Sequence, residues 1–146
     1  MAITQAICNT FKKQLLEGDA NFSNSSGDKF KIALYTSSAT LNSATTSFTT
    51  SNQVANTGQY TSGGGALVNQ AVSLTAGVAR VDFADRSFTG VTLTARGALI
   101  YNTSSTSTNA GVCVLDFGAD KTATSGTFTI QFPAQTSTAA ILRISG

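Results

Sequence analysis

The sequence predicts an all-β fold: an antiparallel β-sandwich, jelly-roll-like, with one N-terminal amphipathic α-helix. Three observations predict it. The stretch Val78–Asn102 alternates apolar and polar residues with period 2, the mark of a sheet with one dry and one polar face. About eight such runs follow one another at the short spacing of an antiparallel sandwich or jelly roll. Helical periodicity is confined to the N-terminus, so nothing supplies the crossovers of a parallel sheet. At 146 residues the chain reads as a single domain, 1–146, with its sandwich over 29–144.

The helix is expected over residues 3–17. Ile3, Ile7, Phe11 and Leu15 recur every four residues, and Cys8 and Leu16 widen the stripe. Thr4 is the candidate cap, without a reciprocal capping box because position 7 is Ile. Gly18 suits the left-handed conformation that ends a helix, and Lys12 and Lys13 sit toward the end where the dipole favours cations. Such a helix either packs across its own sheet or docks on another subunit.

Residues 19–28, DANFSNSSGD, hold turn formers and read as a loop. Lys29–Thr36 is a strand with Phe30, Ile32 and Leu34 on the dry face. A long polar loop or arm follows at 37–62, with Leu41, Phe48, Val54 and Tyr60 as sparse apolar anchors. It is expected to become ordered against a neighbour; the alternative is short edge strands around Ser47–Thr50 and Gln53–Ala55. The Gly63-Gly64-Gly65 run lacks the Lys that completes a phosphate-binding loop, and reads as flexible backbone entering the strand Ala66–Leu74. That strand pairs with Val78–Phe83 through Thr75-Ala76-Gly77.

Three strands are expected in Val78–Asn102. In the first, Ala79, Val81 and Phe83 face one way while Arg80 and Asp82 face the other. After a turn at Asp85-Arg86-Ser87, a short run from Phe88 ends at Thr89-Gly90. Val91, Leu93 and Ala95 then alternate with Thr92, Thr94 and Arg96 until Gly97 interrupts, and Ala98–Tyr101 is apolar on both faces, as in a central strand. Further on, Asn102–Ala110 is a loop, Gly111–Phe117 a strand, Gly118–Ser125 a polar link, and Thr127–Phe132 a strand ended by Pro133. Ala139–Ile144 closes the chain, with Ala140, Leu142 and Ile144 lining the core.

Composition narrows the function. Only 11% of residues are charged, against about 25% in a typical soluble domain, and Ser and Thr provide the polar surface. The net charge of +2 carries no basic cluster beyond Lys12-Lys13, which argues against a nucleic-acid partner. No apolar run approaches the roughly 20 residues of a membrane span. The opening MAITQAICNTFKK lacks the basic-then-apolar order of a signal peptide, so cytosolic synthesis and assembly are expected, and the sequons at Asn21, Asn24 and Asn102 read as chance matches.

The chain holds no histidine, which removes His-ligated metal sites and His-based general catalysis. Cys8 and Cys113 read as small core hydrophobes rather than a disulfide or metal site. Asp116-Phe117-Gly118 matches the kinase magnesium triplet by coincidence, since the companion kinase motifs are missing. The one Glu and six Asp lie mostly at turns or near an Arg. No enzymatic activity, cofactor, metal or small-molecule substrate is expected.

The opening MAITQAICNTFKKQLLEG, then GDKFKIALYTSSATLN, TARGALIYN, VLDFGADKTATSGTFTIQFP and a final Ala-Ile-Leu-Arg-Ile together resemble a family of small virion structural proteins of tailed bacteriophages. The resemblance covers nearly the whole chain but carries no catalytic signature and no site motif. It implies capsid decoration, or cement, with the protein on the capsid surface, made and assembled in the host cytoplasm. The major capsid protein is the implied partner and a homotrimer the implied assembly. Candidate contact residues are Phe11, Lys12 and Lys13 on the helix and Phe48 and Tyr60 in the polar segment. A receptor- or glycan-binding module of a fibre or tail is the competing reading; the absence of Trp and the scatter of Tyr35, Tyr60 and Tyr101 count against its aromatic platform.

Overall fold

The computed structural model describes residues 2–68, 70–133 and 141–145. Its elements are β1 (Ala6–Ile7), α1 (Asn9–Glu17), β2 (Phe30–Tyr35), β3 (Gly65–Ala66), β4 (Ala71–Thr75), β5 (Val78–Asp82), β6 (Arg86–Asn102), β7 (Ala110–Ile130) and β8 (Leu142–Ile144). They form two antiparallel sheets, one in the order β1-β7-β6-β2-β3 and the other β4-β5-β8. The predicted all-β class with one short helix is what the chain adopts.

The helix begins later than its periodicity suggests. Ile3 makes a parallel bridge with Leu41, and Ala6 and Ile7 pair with Val114 and Cys113. Backbone bonds from Thr4 N–H to Leu41 C=O (2.9 Å) and from Cys8 N–H to Val112 C=O (2.9 Å) hold this segment extended. β-branched Ile3 and Ile7 tolerate that conformation well, so tertiary pairing overrides the helical spacing. The cap is therefore Cys8, in extended backbone and without a side-chain bond, rather than Thr4. Gly18 ends the helix at φ +76°, with its own N–H and that of Asp19 satisfying Leu15 and Gln14 carbonyls. Lys12 and Lys13 lie mid-helix; Lys12 Nζ donates to Asn9 Oδ1 (3.2 Å), and Lys13 pairs with Glu17.

The stretch Val78–Asn102 contains two strands rather than three. β6 runs unbroken from Arg86 to Asn102, and irregularities at Phe88/Val91, Val91/Leu93, Ala95/Gly97 and Ile100/Tyr101 absorb Gly90 and Gly97 without ending it. β7 likewise continues through the expected link at Gly118–Ser125, with Thr122 opposite Thr94 and Ala123 opposite Leu93. The alternation within β6 holds: Val91, Leu93 and Ala95 are buried, and Thr92 and Thr94 are exposed.

The expected strand Ala66–Leu74 divides into β3, which edges the large sheet, and β4, which pairs with β5. Gln70 accounts for the break: buried between them, it donates from Nε2 to the carbonyls of Ser23 (2.7 Å) and Asp28 (3.1 Å). Ala76 and Gly77 have φ of +52° and +76°, the twist of a tight two-residue hairpin.

Segment 37–62 packs on its own domain and is ordered there. Ala39, Leu41, Val54 and Tyr60 are buried, and single bridges Tyr35↔Gln53 and Ser47↔Ala110 stand where short edge strands were the alternative. An aromatic column then ties the parts together. Phe22 stacks on Phe30 at 4.4 Å, Phe11 meets Phe22 edge-on, and Phe83, just past β5, meets both Phe22 and Phe30 and reaches Phe132. Helix, loop 19–28 and both sheets thus share one core.

Candidate interaction surface

An open groove of about 700 Å³ runs between α1 and the small sheet. Its helical wall includes Phe11, Lys12, Leu15 and Leu16, and its sheet wall includes Val72, Val81, Leu142 and Ile144. The walls stay apart because α1 anchors only through its inner side: Phe11 is buried and Leu15 packs against the core, while Leu16 is 90% exposed. Opposite, Val72 is 57% and Ile144 59% exposed. Groups of this kind gathered in one place, rather than scattered singly, mark an interaction surface.

Ile144 was expected in the core. It shares a face of the three-residue strand with Leu142, but at the strand's end it stays 59% exposed on the groove while Leu142 is buried. Ala140 falls outside the described residues. Arg80, expected on a polar face, is the most buried residue of β5, with its guanidinium donating to Thr75 Oγ1 (2.6 Å) and Ser73 Oγ (3.2 Å).

The candidate contact residues are not brought together. Phe11 is buried at the groove floor and Lys12 lines the groove, whereas Lys13 is exposed and paired with Glu17. Phe48 stacks on Tyr101 at 4.9 Å. Tyr60 is a core residue with no exposure, so it cannot offer a contact. The groove's exposed residues on β4 and β8 escaped the sequence reading because alternation gives two faces without saying which one is covered. The signal that could have found β4 is its lack of any charge, AVSLT.

Several ionisable groups are engaged in structure. Cys8 and Cys113 are free and buried, and burial pushes their thiols up to about 11 and about 12. Such thiols stay protonated and make poor nucleophiles. Burial also raises Tyr60 to about 12. The Gly118 N–H and the Arg96 guanidinium hold Asp116 below the usual carboxylate range. Asp19 is held low by the Ser105 hydroxyl and the Thr106 N–H. Asn102, though in a sequon, is buried and donates to Asp28 Oδ2 (2.8 Å). Among the described residues there is no cluster of three or more potential metal ligands, and no helix is long and apolar enough to cross a membrane.

Comparison of the chain with protein-family models, curated proteins and solved structures returns no match.

Proposed function

We propose that this chain is a bacteriophage virion structural protein, a capsid decoration or cement protein that binds the outer capsid surface and stabilises the head. Its role on this reading is structural rather than catalytic, its partner is the major capsid protein, and its two sheets are the layers of a jelly-roll-like sandwich. The resemblance of the segments quoted above suggests the class. The observation that carries the reading is the apolar groove with exposed Leu16 and Ile144, a surface suited to a protein partner, on a chain of low charge. A glycan-binding role draws less support, since Tyr35, Tyr60 and Tyr101 are all buried and offer no stacking platform.

A protein that binds only the assembled shell stabilises it by its binding free energy, and many copies add through multivalency. Particles lacking the protein therefore assemble with normal geometry but release DNA at lower temperature, and adding purified protein back restores resistance. Leu16→Asp protein, folded by circular dichroism, fails to restore it. Null particles as heat-resistant as wild type that fail to adsorb to cells would replace this reading with the receptor-binding one.

A further inference from the structure

β4 is an edge strand without the devices that normally protect an edge. Its sequence AVSLT contains no charge and no proline, and it pairs with β5 without a bulge at all five positions. Among the described residues nothing pairs with its outer side. Val72 and Leu74, on one face, are 57% and 73% exposed. On the other face Ser73 and Thr75 accept hydrogen bonds from the Arg80 guanidinium, which reaches across from β5 and leaves the Val72/Leu74 face without charge.

Backbone geometry fixes what such an edge accepts. In a two-residue hairpin the flanking pair, here Thr75 and Val78, is the hydrogen-bonded one. Alternation then points the N–H and C=O groups of Val72 and Leu74 outward. We infer that β4 pairs antiparallel with β4 of a second copy of this chain, about a two-fold axis at Ser73.

In this register Val72 stands opposite Leu74 of the second copy, and Leu74 opposite its Val72. Each outward N–H and C=O finds a partner, and the exposed apolar side chains cover one another. No residue of β4 is charged, so the directly opposed residues of the two copies do not repel one another as like charges would. β8 has no such property, since its own two-fold pairing centres on Arg143. The association is isologous and closes at two copies. It differs from the threefold assembly that the family resemblance implies, and it leaves the helical wall of the groove open.

The test uses the full chain and two independent readouts. Light scattering gives twice the 15.0 kDa chain mass at micromolar concentration. Ser73→Cys chains become disulfide-linked under oxidised glutathione, because opposed non-hydrogen-bonded residues have Cα atoms about 4.5 Å apart, within disulfide range. The buried Cys8 and Cys113 do not compete. Val72→Lys/Leu74→Lys places like charges opposite one another twice and yields monomer. Val72→Lys/Leu74→Glu places opposite charges there and remains a dimer. Both pairs alter exposed positions, and circular dichroism confirms their fold. A monomeric or trimeric wild type overturns the inference. So does a dimer that Ser73→Cys fails to link, or one indifferent to the sign of charge at position 74.

Discussion

The backbone N–H of Leu34 donates to the hydroxyl of Tyr60 at 2.8 Å, with neither residue exposed to solvent. β3 pairs only with Lys31 and Ile32, so beyond it β2 has no neighbouring strand on that side. There the Tyr60 hydroxyl and the Val54 N–H, which donates to Leu34 C=O at 2.9 Å, take the place of a sheet partner. Segment 37–62 is thereby part of the hydrogen-bonded fold.

Tyr60→Phe tests this relationship. The ring still meets Phe88 edge-on, but the buried Leu34 N–H loses its acceptor. Leaving a buried donor unpaired costs about 1–3 kcal/mol, so the midpoint of a urea melt falls while its slope is unchanged. An unshifted midpoint would mean that water replaces the hydroxyl.

Leu93→Ala removes a buried side chain from β6 and lowers stability by about 2–5 kcal/mol. Thr94→Ala loses only an exposed hydroxyl pair with Thr122 (2.9 Å) and costs much less. Equal losses in denaturant melts would contradict the register of β6 on β7.

The buried thiols give an alkaline prediction. Cys8 and Cys113 are raised from 9.0 to about 11 and about 12 in the folded chain. Folding is favoured fully below the unfolded value, and the advantage is lost as pH rises through the folded values. Melts between about pH 9 and pH 12 therefore show a falling stability that Cys8→Ala/Cys113→Ala makes shallower. A thiol reagent at pH 8 labels neither cysteine until urea is added; rapid labelling of the native protein would refute their burial.

Asp116 predicts the opposite limb. Its folded value is depressed by the Gly118 N–H and Arg96, so its contribution is present above about pH 4 and is lost as pH falls through the folded value. Asp116→Asn loses less stability than wild type on acidification. Parallel acid limbs for the two proteins would remove Asp116 from the account.

Period-2 patterns told the class of fold and the core face of β6, because alternation is imposed locally by the pleat. Strand ends were harder to read. Gly90, Gly97 and Gly118 look like stops, yet each lies within a strand, where the partner strand's ladder carries the chain past it. Phe22 was hidden among turn formers because a single aromatic has no period; only Phe30 and Phe83 arriving from elsewhere make it core. The triglycine looked merely flexible. In the structure a Cβ at Gly64 would fall 1.8 Å from Ile32 O, and one at Gly65 2.4 Å from Arg86 Nε, demands that no local pattern encodes. The groove was illegible for the same reason, since its walls come from segments more than fifty residues apart in sequence.

The pairing of Ile7 with Cys113 has a consequence for how the chain is made. A ribosome adding roughly 5–20 residues per second needs about 5–20 s to progress from one to the other. Through that interval Ala6 and Ile7 have no strand to join, and α1, only nine residues long, is too short to hold itself together in water. Protease protection of the nascent Ala6–Ile7 segment accordingly appears only after β7 has left the exit tunnel. β1, translated long before its partner β7, is placed only once β7 arrives, and its extended form is decided by sequence that does not yet exist when it emerges.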